Sequence, residues 1–85
     1  MDKLSGKIAL ITGAAVGLGE GIAQVYAKYG AKLCLFDLDP HVEVTAQKLR
    51  DHYHQDIISF IGDVSNRQDL EEAVTLTLEK FGSLD

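Results

Sequence analysis

Apolar residues along this chain follow two alternating rhythms. Three short runs, KIALIT at 7–12, KLCLF at 32–36 and IISFI within 56–62, are apolar at nearly every position and bounded by glycine or charged residues. Runs of that length and density predict strands buried on both faces. After each run the apolar positions spread to helical spacing, at Leu18, Ile22, Val25, Tyr26 and Tyr29, then Val42, Ala46, Leu49 and Tyr53, then Leu70, Ala73, Val74, Leu78 and Phe81. Three amphipathic helices follow from this. Gly30 and Gly82 stand where a left-handed residue would close a helix, and Asp39 can cap a helix whose first residue is Pro40. Ser65, with Gln68 three residues later, has the form of a capping box.

The order βαβαβα with short connections predicts an α/β fold, in which a parallel sheet is joined by right-handed crossovers and covered by helices. In a Rossmann-type doubly wound sheet the three strands lie in the order 3-2-1. That arrangement leaves the first strand at an edge, although IALI has the composition of a central strand. Residues 1–85 therefore read as the N-terminal part of a single Rossmann-type domain, ending before a fourth strand.

Composition narrows the function classes. A chain with 13 acidic and 8 basic residues, a formal net charge of -5 and no cationic stripe is a poor partner for nucleic acid or an anionic membrane. The polar start MDKLSGK precedes an apolar run too short for a signal peptide or a membrane span. The lone cysteine, Cys34, sits inside an apolar run and fits a reducing compartment. The expectation is a soluble, cytoplasmic protein.

The stretch TGAAVGLG carries the most chemistry. Gly13, Gly17 and Gly19 lie where the first strand must turn into the first helix. A helix N-terminus offers unpaired N–H groups and the positive end of a dipole, and glycine lets a phosphate approach without meeting a β-carbon. The spacing is GxxxGxG rather than GxGxxG, and no Lys follows to make a phosphate-binding GxxxxGK[ST] loop. A pyrophosphate is the expected ligand. Asp37, 18 residues beyond Gly19 at the end of the second strand, can accept hydrogen bonds from both hydroxyls of an adenosine ribose. Its charge opposes a 2′-phosphate, and neither Val16 nor Leu38 supplies a compensating cation. NAD(H) is therefore favoured over NADP(H).

With these residues in place, the chain resembles the short-chain dehydrogenase/reductase family, in its NAD-preferring branch. TGAAVGLG matches the form TGxxxGxG, and Asp37 and the GDV of Gly62 to Val64 strengthen the likeness, which runs from SGKIALITG to FGSLD. The resemblance implies that main-chain N–H groups of residues such as Val16 and Leu18 hold the pyrophosphate. It also implies that Asp63 and Val64 frame the adenine, the carboxylate on its exocyclic amine and the Val main chain on the ring. A purely structural role for Asp63, helping to cap the third helix beside Ser65, stays open.

The family's activity is interconversion of an alcohol and a carbonyl by hydride transfer, and its members are commonly oligomers. Its catalytic Ser and Tyr-x-x-x-Lys lie beyond the fourth strand and have no counterpart here. Four residues after Tyr26, Tyr29 and Tyr53 stand Gly30, Leu33 and Ile57. No catalytic residue is assigned within the chain, and no metal site either, since HYHQD at 52–56 reads as a solvated loop. Two other readings remain: a stand-alone nucleotide-binding or interaction module without catalysis, and a family member with epimerase or enoyl-reductase chemistry.

Overall fold

The computed structural model describes residues 3–85. Three parallel strands, β1 (Ile8–Thr12), β2 (Lys32–Asp37) and β3 (Ile57–Ile61), alternate with helices α1 (Gly17–Lys28), α2 (His41–Tyr53) and α3 (Arg67–Phe81). The sheet order is β1-β2-β3, as expected, with Leu10 opposite Cys34 and Leu35 opposite Ser59. β2 is the central strand, and its Leu33, Cys34, Leu35 and Phe36 are all buried.

Helices α1 and α2 pack against each other and against β2 on one face of the sheet, while α3 packs across β2 and β1. Two right-handed crossovers that step in one direction place their helices on one side, so a helix carried to the other side marks a reversal of direction. The end of the chain is consistent with that reversal. Asp85 donates its N–H to the Ile8 carbonyl at 2.9 Å, and its carboxylate accepts the Ile8 N–H at 2.8 Å. The chain thus returns to the free side of β1, where Ile8, Leu10, Thr12, Ile22 and Tyr26 line a groove.

The buried face of α1 differs from its predicted stripe. Ala23 and Ala27 are its buried residues, whereas Leu18, Ile22, Val25 and Tyr26 are exposed. Small side chains let the helix lie close on the sheet, and the larger apolar ones flank that contact. The closest approach is at Gly19, where a β-carbon would collide with the Gly13 carbonyl. A second crowded glycine, Gly62, follows β3, where a β-carbon would press on the stacked rings of Phe36 and Phe60, whose centroids are 5.4 Å apart.

Caps settle two further expectations. Asn66, not Ser65, caps α3, its side-chain oxygen accepting the Asp69 N–H at 3.2 Å. Ser65 instead turns its N–H and hydroxyl toward Asp63. Helix α2 begins one residue later than predicted, with Pro40 rather than Asp39 as its N-cap, and Asp39, one residue before the cap, accepts the His41 N–H at 2.9 Å. At the far end of α2, which takes in His52 and Tyr53 of the HYHQD stretch expected as a loop, His54 adopts φ 57°, a left-handed C-cap.

Candidate functional site

The residues expected to contact the cofactor occur at one end of the sheet, the carboxyl ends of the parallel strands. Thr12 ends β1 and leads into the glycine turn, Asp37 ends β2, and Asp63 and Val64 follow β3. Ligands of open α/β sheets bind along this rim, because the helix N-termini open there.

The turn between β1 and α1 is shaped by its glycines. Gly13 and Gly17 have φ of 63° and 67°, a region that side chains with a β-carbon rarely enter, and a β-carbon at either would meet open space. Backbone conformation, not crowding, therefore calls for glycine at these two positions. The N-cap of α1 is Val16, in an extended conformation, and no side chain caps the helix. Valine is among the least effective N-caps, so the first N–H groups of α1 stay open to an external acceptor. Val16 and Leu18 are themselves exposed, Leu18 at 82%.

Asp37 connects this turn to the end of β2. One carboxylate oxygen accepts the Ala15 N–H at 2.8 Å and the other accepts the Asp39 N–H at 2.9 Å. The Asp39 amide, more than the Ala15 and Leu38 amides, holds the Asp37 carboxyl below its ordinary pKa, so it is an anion at neutral pH. Each oxygen keeps lone pairs for further donors. Beside it, the Leu38 side chain is exposed.

The third part of the rim is the turn after β3. Asp63 accepts the Ser65 hydroxyl at 2.7 Å and the Ser65 N–H at 2.9 Å through one oxygen, and the hydroxyl is the main reason its pKa is lowered. Its main-chain carbonyl accepts the Asn66 N–H at 2.9 Å, and its N–H donates to Asp69 at 3.0 Å. Asp63 thus organises the approach to α3, although Asn66 is the residue that caps it, and its second oxygen makes no hydrogen bond among the described residues. Val64 is exposed next to it.

One participant escaped the sequence reading. Thr45, on α2, is 1% exposed and donates its hydroxyl to the Ala15 carbonyl at 2.6 Å. The apolar spacing of α2, read from Val42, Ala46, Leu49 and Tyr53, does not include it.

Cys34 is buried in the central strand, and burial pushes its thiol pKa up, away from reactivity. No cluster of three or more His, Cys, Asp or Glu that could hold a metal occurs among the described residues. Nor, among those residues, is any helix long and apolar enough to cross a membrane.

Comparison with known proteins agrees with this geometry. The chain is 41% identical over 85 residues to Oxidoreductase UcpA of Escherichia coli K12, covering 100% of this chain and 32% of that protein. It is 40% identical over 86 residues to xanthoxin dehydrogenase of Arabidopsis thaliana, covering 99% of this chain and 30% of that one. The chain thus spans about a third of the length of the curated relatives it matches. Among solved structures, L-sorbose reductase from Gluconobacter frateurii, complexed with NADPH and L-sorbose, superimposes with a TM-score of 0.94 at 30% identity, over 100% of this chain and 33% of that one. A family model for the short chain dehydrogenases matches residues 7–85, and with the glycine turn, the rim carboxylate and the sheet order in agreement, the chain belongs to that family.

Proposed function

We propose that these residues are the adenosine-diphosphate-holding part of an NAD(H)-dependent oxidoreductase that interconverts an alcohol and a carbonyl. The observation that carries this reading is the uncapped start of α1 directly above a glycine turn, with the Asp37 carboxylate anchored beside it. Together these features suit a ligand that has both a pyrophosphate and a neighbouring ribose.

In this reading Gly13, Gly17 and Gly19 shape the turn and bring α1 close to it. Val16 and Leu18 donate main-chain N–H groups to the pyrophosphate, where the helix dipole adds to the attraction. Asp37 accepts the two ribose hydroxyls with lone pairs left over from its bonds to Ala15 and Asp39. Asp63 receives the adenine exocyclic amine through its second oxygen, and the Val64 main chain borders the ring. The nicotinamide, when bound, supplies the hydride chemistry. These residues fix where the cofactor lies. Proton transfer belongs to a Ser and a Tyr-Lys pair beyond Asp85 in the complete protein.

Preference for NAD(H) rests on charge. A 2′-phosphate would stand next to the Asp37 anion, and its neighbours Val16 and Leu38 offer no cation. The L-sorbose reductase complex contains NADPH, so the family likeness does not decide between the cofactors and the rim residues must. In the complete protein β1 becomes an inner strand, the assembly is a homo-oligomer, and buried Cys34 suits the reducing cytoplasm. Titration of the full-length protein with NADH and with NADPH tests the cofactor reading. Tighter binding of NADH is expected; equal or tighter binding of NADPH would overturn the preference.

A further inference from the structure

We infer that Thr45 is a positioning residue for phosphate binding: it sets the direction of the Val16 N–H by holding the carbonyl of the same peptide unit. The inference rests on the dinucleotide reading above and assigns a role to a side chain outside the glycine motif.

The geometry is a three-point clamp on two residues of the turn. The Ala14 N–H approaches the Phe36 carbonyl at 3.4 Å, the Ala15 N–H donates to Asp37 at 2.8 Å, and the Ala15 carbonyl accepts the Thr45 hydroxyl at 2.6 Å. Ala14 and Ala15 are both buried. The Ala15 carbonyl and the Val16 N–H belong to one planar trans peptide, so they point in opposite directions. With the carbonyl drawn toward α2, the N–H faces away from α2.

Val16 is the N-cap of α1, and no side chain occupies its helix end. If the peptide between Ala15 and Val16 rotated, a carbonyl oxygen would replace an N–H at the place where an anion is held. Glycines on both sides of this stretch, Gly13 and Gly17, leave the neighbouring backbone permissive, so the restraint must come from side chains. Asp37 restrains the peptide before Ala15. Thr45 restrains the peptide after it.

Thr45 and Ala15 are each 1% exposed, so the hydroxyl meets the carbonyl in a buried setting. No buried side-chain polar atom is left without a partner among the described residues. Valine has nearly the same shape as threonine without the donor, so Thr45→Val removes the hydrogen bond and keeps the packing.

The test measures the affinity of the full-length protein for ADP-ribose, which has the pyrophosphate, and for adenosine, which lacks it, by displacement of NADH. Thr45→Val should weaken ADP-ribose at least about fivefold, the effect of a lost buried hydrogen bond, and change adenosine by less than about twofold. Thr45→Ser, which restores the hydroxyl, should recover most of the affinity. Unchanged ADP-ribose affinity in Thr45→Val, an equal loss for both ligands, or a loss in Thr45→Ser as large as in Thr45→Val would each overturn the role. If Thr45→Val fails to fold, Thr45→Ala against Thr45→Ser makes the same comparison. Wild-type protein that binds no ADP-ribose would refute the dinucleotide reading itself, whereas wild-type binding with an indifferent Thr45→Val refutes the positioning role alone.

Discussion

The Asp37 carboxylate accepts the Ala15 N–H at 2.8 Å, tying the end of β2 to the glycine turn that follows β1. A single anion therefore orders the turn and, in the proposed reading, also faces the ribose. Its removal should affect both cofactor discrimination and turn geometry.

The effect on discrimination is the first prediction. In the full-length protein Asp37→Ala should reduce the ratio of NADH to NADPH affinity by at least about tenfold, because NADH loses an acceptor while NADPH loses a repulsion. Dissociation constants for the two cofactors give the ratio directly. A ratio equal to that of the wild type would remove Asp37 from its assigned place.

Acid should loosen the turn. The folded pKa of Asp37 lies below the ordinary aspartate value of 3.8, so its stabilising contribution is whole above that value. As pH falls through 3.8 toward the folded pKa, the unfolded chain takes up the proton first and the contribution is lost. Urea midpoints should decline in this range, and Asp37→Ala should decline less steeply than wild type. Parallel curves for the two proteins would contradict this linkage.

At Gly19 the expected effect is steric. A β-carbon there meets the Gly13 carbonyl, which belongs to rigid backbone and cannot swing aside as a side chain could. Gly19→Ala should cost about 1–3 kcal/mol of stability, as overpacking does, and should weaken ADP-ribose by displacing α1 from the turn. Thermal and urea denaturation measure the first effect. A fully stable variant with wild-type affinity would show that α1 can move away freely.

On the outer side of β3 a different group is at stake. Arg50 donates its Nε–H to the Ile57 carbonyl at 2.5 Å and pairs with Glu43 at 3.2 Å, and Glu43 accepts the Ser59 hydroxyl at 2.6 Å. Chief among its partners, that hydroxyl holds the Glu43 carboxyl below its ordinary pKa. These side chains occupy an edge that could otherwise pair with another chain. Arg50→Ala should destabilise by about 1 kcal/mol and raise the tendency to aggregate on warming. Light scattering during a thermal ramp would detect the change, and an unaltered onset would argue against edge protection.

Much of the molecule was legible in the residue pattern. Dense apolar runs such as KLCLF need burial on both faces, which requires helices above and below a parallel sheet, so the rim location of Gly13, Gly17, Gly19, Asp37, Asp63 and Val64 follows from alternation, and the sheet order follows once the Rossmann-type winding is taken. Periodicity was less informative for α1. The larger apolar residues suggested a buried stripe, but packing distance chose Ala23 and Ala27, because a helix pressed against a sheet at Gly19 has room only for small side chains.

The sequence by itself determined the order of elements, the glycine turn and the carboxylate at the end of β2, because these depend on local backbone freedom and burial. Only the tertiary structure decided that Asp37 and Thr45 grip Ala15 from opposite sides. Those pairings join residues 22 and 30 positions apart, and their partners are main-chain groups. A main-chain N–H or carbonyl is the same at every residue, so nothing in the order of side chains marks which one a distant Asp or Thr will meet until the sheet and helices bring them together.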